Sequence, residues 1–319
     1  MAYGQSGYLA IHFQDSYGTS NADSAHYIPL VSESVVEAVA QIVENNMYGR
    51  LSESPYHEGL HEISGDISTE AHPIYLGTFF KAALGLTAVT AQGSSFFHEF
   101  LPAAADWDEF AAVPPMTLEI HRDAGSAFLY YDVLANELLL EVAQGQLLAA
   151  GLTVLGGRFG RQVAATPSFH AGRPWTWDVV SASFDGSAIS DLRQFTLRFS
   201  NQLGAMYTLS GDKVPRRIKR EGSQQVAIEG TMLFQDQSLF QEFLDQSEKR
   251  LLLTFAGETV AEGYQAQVTL DVPKLRFGEF KPGLSGPGQL EVSFTAAGVY
   301  DTTSSYALRA TLTNTQPAY

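Results

Sequence analysis

His57-Glu58-Gly59-Leu60-His61 has the H-E-x-x-H spacing of zinc hydrolases. That chemistry needs a helix, because only there do residues four apart share one face closely enough to ligate a single ion. The surrounding pattern is not helical: His61, Ile63, Gly65 and Ile67 alternate with Glu62, Ser64 and Asp66, the period of a strand. A helix beginning at Ser54-Pro55 would carry Gly59 in its middle, at a cost of about 1 kcal/mol, and would have little apolar face to bury. The extended form of the motif would also need glycine at 64 and histidine at 67, where Ser64 and Ile67 stand. His72 and Glu70 are the remaining ligand candidates, and no register supports them. The match is read as coincidence, with no metal and no cofactor expected.

Other catalytic constellations are weaker. There is no G-x-S-x-G elbow and no phosphate-cradling loop. The glycines of "GGRFGR" (156–161) read as a linker. Asp106, Asp108 and Glu109 in "ADWDEF" lack the spacing of a calcium loop and read as a solvated turn. Trp175 and Trp177 read as a core edge rather than a stacking platform. With no cysteine, disulfides, thiolate metal sites and cysteine nucleophiles are excluded.

The residues that stand out are charges on long loops. "NNMYGRLSESPYHEG" (45–59) and "NQLGAMYTLSGDKVPRRIKREG" (201–222) each connect two strand-like segments. Loops of this length in compact domains are usually functional or disordered. The second holds Lys213, Arg216, Arg217, Lys219 and Arg220, five of the 19 lysines and arginines; the first holds Arg50, Glu53 and Glu58. A basic loop on an acidic chain can grip nucleic acid, stand free in solvent, or dock on an acidic surface of another copy. The last fits best, since complementary patches steer head-to-tail association.

The elements that carry these loops come in two copies. "HEISGDI" (61–67) matches "VAIEGTM" (226–232), setting Gly65 against Gly230. "IVENNM" (42–47) matches "RFSNQL" (198–203), and "GQLLAAGLTVLGG" (145–157) matches "GQLEVSFTAAG" (288–298). Each copy has one helical stretch: Tyr75–Gly85, with Leu76, Phe79, Phe80, Ala83 and Leu84 on one face and Gly85 as C-cap, and 238–249 with Ser238 as N-cap. Strands are expected over 116–121, 128–134 and 147–155 in the first copy. In the second they fall at 195–200, 226–232, 251–255, 264–272 and 289–295. The Gly- and Pro-rich run 157–177 separates the copies. The expectation is a mainly β protein of two tandem domains, 1–172 and 173–319, each a β-sandwich or partly closed barrel with one helix. Between its central glycine and its "GQL" the first copy is 22 residues longer (80 against 58), an insert around 86–115 with no assigned role.

Charge separates the copies too. Residues 1–172 hold 19 acidic and 5 basic side chains, a net of −14, and the rest hold 16 and 14, a net of −2, summing to the chain's −16. Such a body repels nucleic acid, whose capture rests on lysine and arginine. No apolar run approaches the roughly 18 residues of a membrane span, and "MAYGQSGYLAIHF" lacks the basic and apolar regions of a secretory signal.

Taken together, the stretches 96–158 and 193–234, a β-meander and a strand, long loop and strand, set in a pattern that runs nearly the whole chain, resemble phage tail tube proteins. The resemblance is carried by "FFHEFLPAAADWDEFAAVPPMTLEIHRDAGSAFLYYDVLANELLLEVAQGQLLAAGLTVLGGR" (96–158) and by "RQFTLRFSNQLGAMYTLSGDKVPRRIKREGSQQVAIEGTMLF" (193–234). It implies a structural virion protein without enzymatic activity, a β-sandwich whose inner sheet joins its neighbours' sheets around a ring. Six-fold rings of such domains imply three duplicated chains per ring, a pseudo-hexamer, stacked head-to-tail. The long loops would then touch the adjacent ring, making 46–58 and 204–221 the contact segments. Arg50, Glu53, Tyr56, Lys213, Arg216, Arg217, Lys219 and Arg220 are the candidate contact residues. Implied partners are other tail proteins at the tube ends, a tape measure protein, and then DNA passing without specific binding. Implied too are assembly in the host cytoplasm and residence in the virion, away from membranes. The alternatives are another virion ring or adaptor of tail-end or terminator type, a two-domain binding module of immunoglobulin type, and the H-E-x-x-H hydrolase.

Overall fold

A computed structural model describes residues 4–19, 25–49, 52, 55–209, 211–234, 241, 244–245, 247–261, 263–282 and 289–319. The first part of the chain forms β1 (Tyr8–Phe13), β2 (His26–Ile28), β3 (Ser32–Glu33), β4 (Val36–Val43) and β5 (Tyr56–Glu70). Helix α1 (Tyr75–Leu84) follows, then β6 (Gly85–Gln92), β7 (Ser95–Pro102), β8 (Met116–His121), β9 (Ala127–Ala143), β10 (Ala149–Gly156) and β11 (Arg158–Gln162). After a 3-10 turn at Trp177–Val179 come β12 (Val180–Phe184), β13 (Ser187–Ile189), β14 (Leu192–Ser200), β15 (Leu203–Met206), β16 (Arg217–Arg220) and β17 (Gln225–Leu233). The chain finishes with β18 (Lys249–Ala261), β19 (Tyr264–Pro282), β20 (Glu291–Gly298) and β21 (Arg309–Asn314).

The mainly β class expected from the alternation is what forms, as open sheets rather than closed barrels. Helix α1 occupies the expected segment. Its apolar face is buried, and Gly85 ends it at φ 85°, a left-handed conformation that costs glycine no Cβ clash. Half of the second expected helix, 238–249, falls outside the described residues; within it, the Asp245 amide donates to the Gln241 carbonyl at 2.9 Å, one helical turn.

Two strands are too long for one sheet and pass between two. The first part of β9 pairs with β8 and β11, its second part with β10 and β14. Likewise β19 pairs first with β18 and β21, then with β20. The result is a central antiparallel sheet in the order β4-β5-β10-β9-β14-β17-β20-β19. One outer sheet, β2-β1-β8-β9-β11, belongs to the first half. The other, β13-β12-β18-β19-β21, belongs to the second. Apart from the added β15–β16 pair, the β6–β7 hairpin and the two-residue β3, which pairs with β5 ahead of β4, the halves repeat strand for strand.

Alternation sends one face of the central sheet inward. Ile63, Ile67, Leu138, Leu140, Leu152, Leu197, Phe199 and Ile228 are buried with the helix and the outer sheets in one core. The repeated glycine has a packing reason in both copies. A Cβ at Gly65 would sit 2.5 Å from the Val35 backbone, and one at Gly230 would sit 2.4 Å from the Phe294 ring.

The insert explains itself by its pairing. The β6–β7 hairpin leaves its own half and extends the second half's outer sheet, β7 lying antiparallel to β21 from Ala310↔Phe100 to Asn314↔Phe96. The C-terminal tail then returns to the first half. Asn314 Nδ2 donates to the Pro73 carbonyl at 2.7 Å, and the Tyr319 hydroxyl donates to that of Ile74 at 2.7 Å.

Candidate assembly surfaces

Three features could act on a partner: the two long hairpins, the free edges of the central sheet, and the solvent face of that sheet. In the first hairpin, β4 is exposed along its length, with Val36, Val39, Ile42 and Val43 between 46% and 60% accessible. Its tip carries Met47, fully exposed, and Tyr48, half-exposed. Of the candidate contact residues here, Tyr56 opens β5 opposite Val43 and is 64% exposed, whereas Arg50 and Glu53 lie outside the described residues.

The H-E-x-x-H residues lie on β5, where four residues span about 13 Å, too far for one ion. They are engaged otherwise. His57 Nε2 meets Glu44 Oε1 at 2.8 Å, and His61 sits between Glu37 Oε1 (2.8 Å) and Glu58 Oε1 (2.7 Å). The hydrogen bond with Glu37 raises the His61 pKa against the opposing effect of burial, and Glu58 adds to the rise. Glu58 is held below its ordinary value, first by the ammonium of Lys213 and then by His61. Among the described residues no group of three or more His, Cys, Asp or Glu is arranged to hold a metal.

The second hairpin is longer because it folds on itself. Beyond β14 the chain forms the β15–β16 pair, Leu203↔Arg220 to Met206↔Arg217, before re-entering the sheet as β17. Its basic residues have partners within the same chain, mostly in the insert. Lys219 Nζ reaches Asp106 Oδ2 at 3.0 Å, Arg220 reaches Asp106 Oδ1 at 2.8 Å, and Arg217 reaches Glu109 Oε1 at 3.0 Å. Lys213 pairs with Glu58 of the first hairpin. Arg216 stacks toward Phe110 and has no carboxylate partner among the described residues. Burial lowers the Arg220 pKa, with Asp106 working against the shift.

"ADWDEF", read as a solvated turn, is therefore the anionic cradle of the basic loop. Asp108 Oδ1 accepts from the amides of Phe110 (2.6 Å) and Ala111 (2.7 Å), which fixes the turn. Beneath it Ala111, Ala112, Val113, Leu134, Leu203 and Ile218 form a second small core. The two hairpins also touch directly: the His61 amide donates to the Lys213 carbonyl at 2.8 Å, and the Tyr207 hydroxyl to the His61 carbonyl at 2.9 Å.

One pair of residues escaped the sequence reading. Asp132 and Asp271 are both 1% exposed and lie where β9 and β19 leave their outer sheets. Asp132 accepts from Arg158 Nε of β11 at 2.7 Å and from the Gly18 amide at 2.7 Å. Asp271 accepts from Arg250, from Arg309 of β21 at 2.9 Å, and from the Tyr306 hydroxyl at 2.7 Å. Burial alone would raise the Asp271 pKa; the hydrogen bonds from Arg250 and Tyr306, with the charges of Arg250 and Arg309, outweigh it and bring it below the ordinary value. The shared Asp-Val dipeptide at 132–133 and 271–272 was the available signal.

The sheet edges complete the inventory. Inside the chain the halves join where β9 meets β14, antiparallel, from Gln194↔Ala143 to Ser200↔Glu137. The central sheet ends at β4 on one side and at residues 275–282 of β19 on the other; among the described residues no strand pairs with the outer edge of β4 or of 276–282, and β18 reaches only Leu275, through Lys249. No helix of the described residues is long and apolar enough to cross a membrane.

The chain matches the phage tail tube protein family over residues 4–298, nearly its whole length, and it belongs to that family. No individual curated protein matches it. It is a structural protein of the phage tail, a building block of the tail tube.

Proposed function

We propose that three copies close into a ring by repeating between chains the junction that joins the two halves within one. The carrying observation is the equivalence of edges. β14 is the second-half counterpart of β4, and the second part of β9 is the first-half counterpart of residues 275–282 of β19. Since β9 already pairs with β14, residues 275–282 of one chain have their natural partner in β4 of the next. The edges are of similar length, eight residues in β4 and seven, 276–282, in β19. The pairing covers the exposed apolar side chains of β4 and removes two unpaired edges that would otherwise invite aggregation. Each half supplies four strands to the central sheet, so three chains give a pseudo-six-fold ring.

Stacked head-to-tail, such rings make the tube, with 46–58 and 204–221 as inter-ring contact segments. Among the described residues Tyr56 and Arg216 are the candidates there without a carboxylate partner in the same chain, and Arg50 and Glu53, outside the described residues, remain in the proposed set. Lys213, Arg217, Lys219 and Arg220 act by holding the second loop in shape through their cis pairs. The solvent face of the central sheet becomes the lumen. It presents Glu62, Asp66, Glu70, Glu141 and Glu229, while Arg198 is matched by Glu137 (2.6 Å) and Arg193 by Glu291 (2.9 Å). A carboxylate-lined bore repels phosphates over a Debye length of about 8–10 Å, so DNA passes without sticking. The same bore first holds the tape measure protein, and other tail proteins close the tube ends. Assembly takes place in the host cytoplasm, and no catalysis is involved.

Negative-stain electron microscopy of the purified protein across salt and concentration tests this reading. Hollow tubes or stacked rings of uniform diameter, three chains to a ring, are expected. Compact monomers under every condition would overturn it.

A further inference from the structure

The ends of the central sheet differ in a way that suggests how rings grip each other. At one end stands the tip of the β4–β5 hairpin. At the other, where β5 finishes and the chain turns toward α1, a cleft of about 660 Å³ opens between the two halves. Its walls are largely apolar: Pro73, Leu147, Ala171, Pro174, Trp175 and Val260. Beneath them lie two buried polar atoms without partners, Trp175 Nε1 behind Gly257 and His72 Nε2 behind Gly172. Tip and cleft are separated by the length of β5, 15 residues or roughly 45 Å along a strand.

We infer that the cleft receives the β4–β5 tip of a second copy of this chain, with Met47 inserted against Trp175 and Leu147. This rests on the stacking reading and names its socket. Three observations select that occupant. The cleft follows directly on from β5, so a copy displaced along the strand direction brings its own β4–β5 tip toward it. Met47 is fully exposed at the tip, a position in which an isolated chain gains nothing from an apolar side chain. Methionine is unbranched and adaptable, and its sulfur packs well at the edge of an aromatic ring. The volume exceeds what one side chain fills, so the neighbouring Tyr48 enters with it. Leu209 of the second hairpin, also fully exposed, is the competing occupant.

The chain has no cysteine, which makes the pairing directly readable. Met47→Cys with Leu147→Cys is assembled into tubes, oxidised mildly, and run denatured without reductant. A ladder of covalent multimers is expected from tubes and not from unassembled chains. Tubes that form normally yet give no ladder, or a ladder only from Leu209→Cys with Leu147→Cys, overturn the inference. A second measurement does not depend on that variant assembling. Leu147→Cys is blocked with a bulky thiol reagent before assembly, and rings that no longer stack are expected. Unimpaired stacking of blocked rings overturns the socket. Failure of the unsubstituted chain to form any tube is a separate result, which sinks the stacking reading itself.

Discussion

Two strands with the same place in the repeat, β4 and β14, live in opposite surroundings. β14 is paired on both sides, with Phe195, Leu197 and Phe199 no more than 2% exposed. β4 has one partner, and Val39, which faces His61 as Phe199 faces the repeat-equivalent Val226, is 46% exposed. On the proposed ring closure, this strand, whose apolar side chains are idle in the isolated chain while its twin's are buried, is the one that meets the neighbouring copy. The same contrast separates the hairpins: the second is braced by the insert's carboxylates, whereas the first is held at Glu58 and His61 by the second and has an exposed tip at Met47.

The strongest way to break the comparison is to truncate the twins. Phe199→Ala should destabilise the isolated chain by about 3–5 kcal/mol, read from denaturant unfolding. Val39→Ala should stay within about 0.5 kcal/mol there and show its effect in the concentration needed for assembly. Equal losses in the monomer would mean that β4 is as integral to the single chain as β14.

The buried aspartates come next. Asp271→Ala frees two arginines and a tyrosine and should cost about 2–3 kcal/mol, more than Asp132→Ala, which frees one arginine. Because folding lowers the Asp271 pKa, its contribution is present above the unfolded carboxyl's pKa, about 4, and is lost as pH falls below it. The gap in stability between the unsubstituted chain and Asp271→Ala should therefore narrow from pH 5 toward pH 2. A gap that widens with acid would contradict the assignment.

Gly65→Ala and Gly230→Ala give a smaller contrast. The first pushes a methyl into the Val35 backbone, which cannot yield cheaply; the second meets the end of the Phe294 ring, which can turn. Overpacking of this kind costs about 1–3 kcal/mol, and Gly65→Ala should lie toward the upper end. The reverse order in thermal unfolding would show that the two glycines do different work. Smallest is the brace itself: a double-mutant cycle on Asp106→Ala and Arg220→Ala should yield a coupling of about 0.5–1 kcal/mol. Zero coupling would return the insert to the status of a loop that merely lies nearby.

What could be read from the sequence was what repeats locally. Helix α1 and its Gly85 cap, the alternation in β5, β14 and β17, and the strand character of the H-E-x-x-H segment follow from side-chain period alone. The full length of β9 did not. Its "LANELLLEVA" half alternates differently from "AFLYYDVL", because the strand changes sheets at Asp132. The insert was silent for a related reason: its partners, β21 and the basic loop, are more than 100 residues away in the chain. Charge counting found the basic loop but could not find its carboxylates, since Asp106 and Glu109 carry no spacing that announces a partner. The buried Asp132 and Asp271 were hidden by residue type, as aspartate is seldom fully buried unless paired.

The central claim is that the chain's internal junction is the template for its junction with the next chain. An electron cryomicroscopy map of assembled tubes, at a resolution that separates strands, tests it directly. The account predicts three chains per ring and residues 275–282 of each running antiparallel to β4 of its neighbour. The inner wall would then be continuous, with eight strands from each chain. Rings closed by contacts that leave β4 and residues 275–282 unpaired would contradict it.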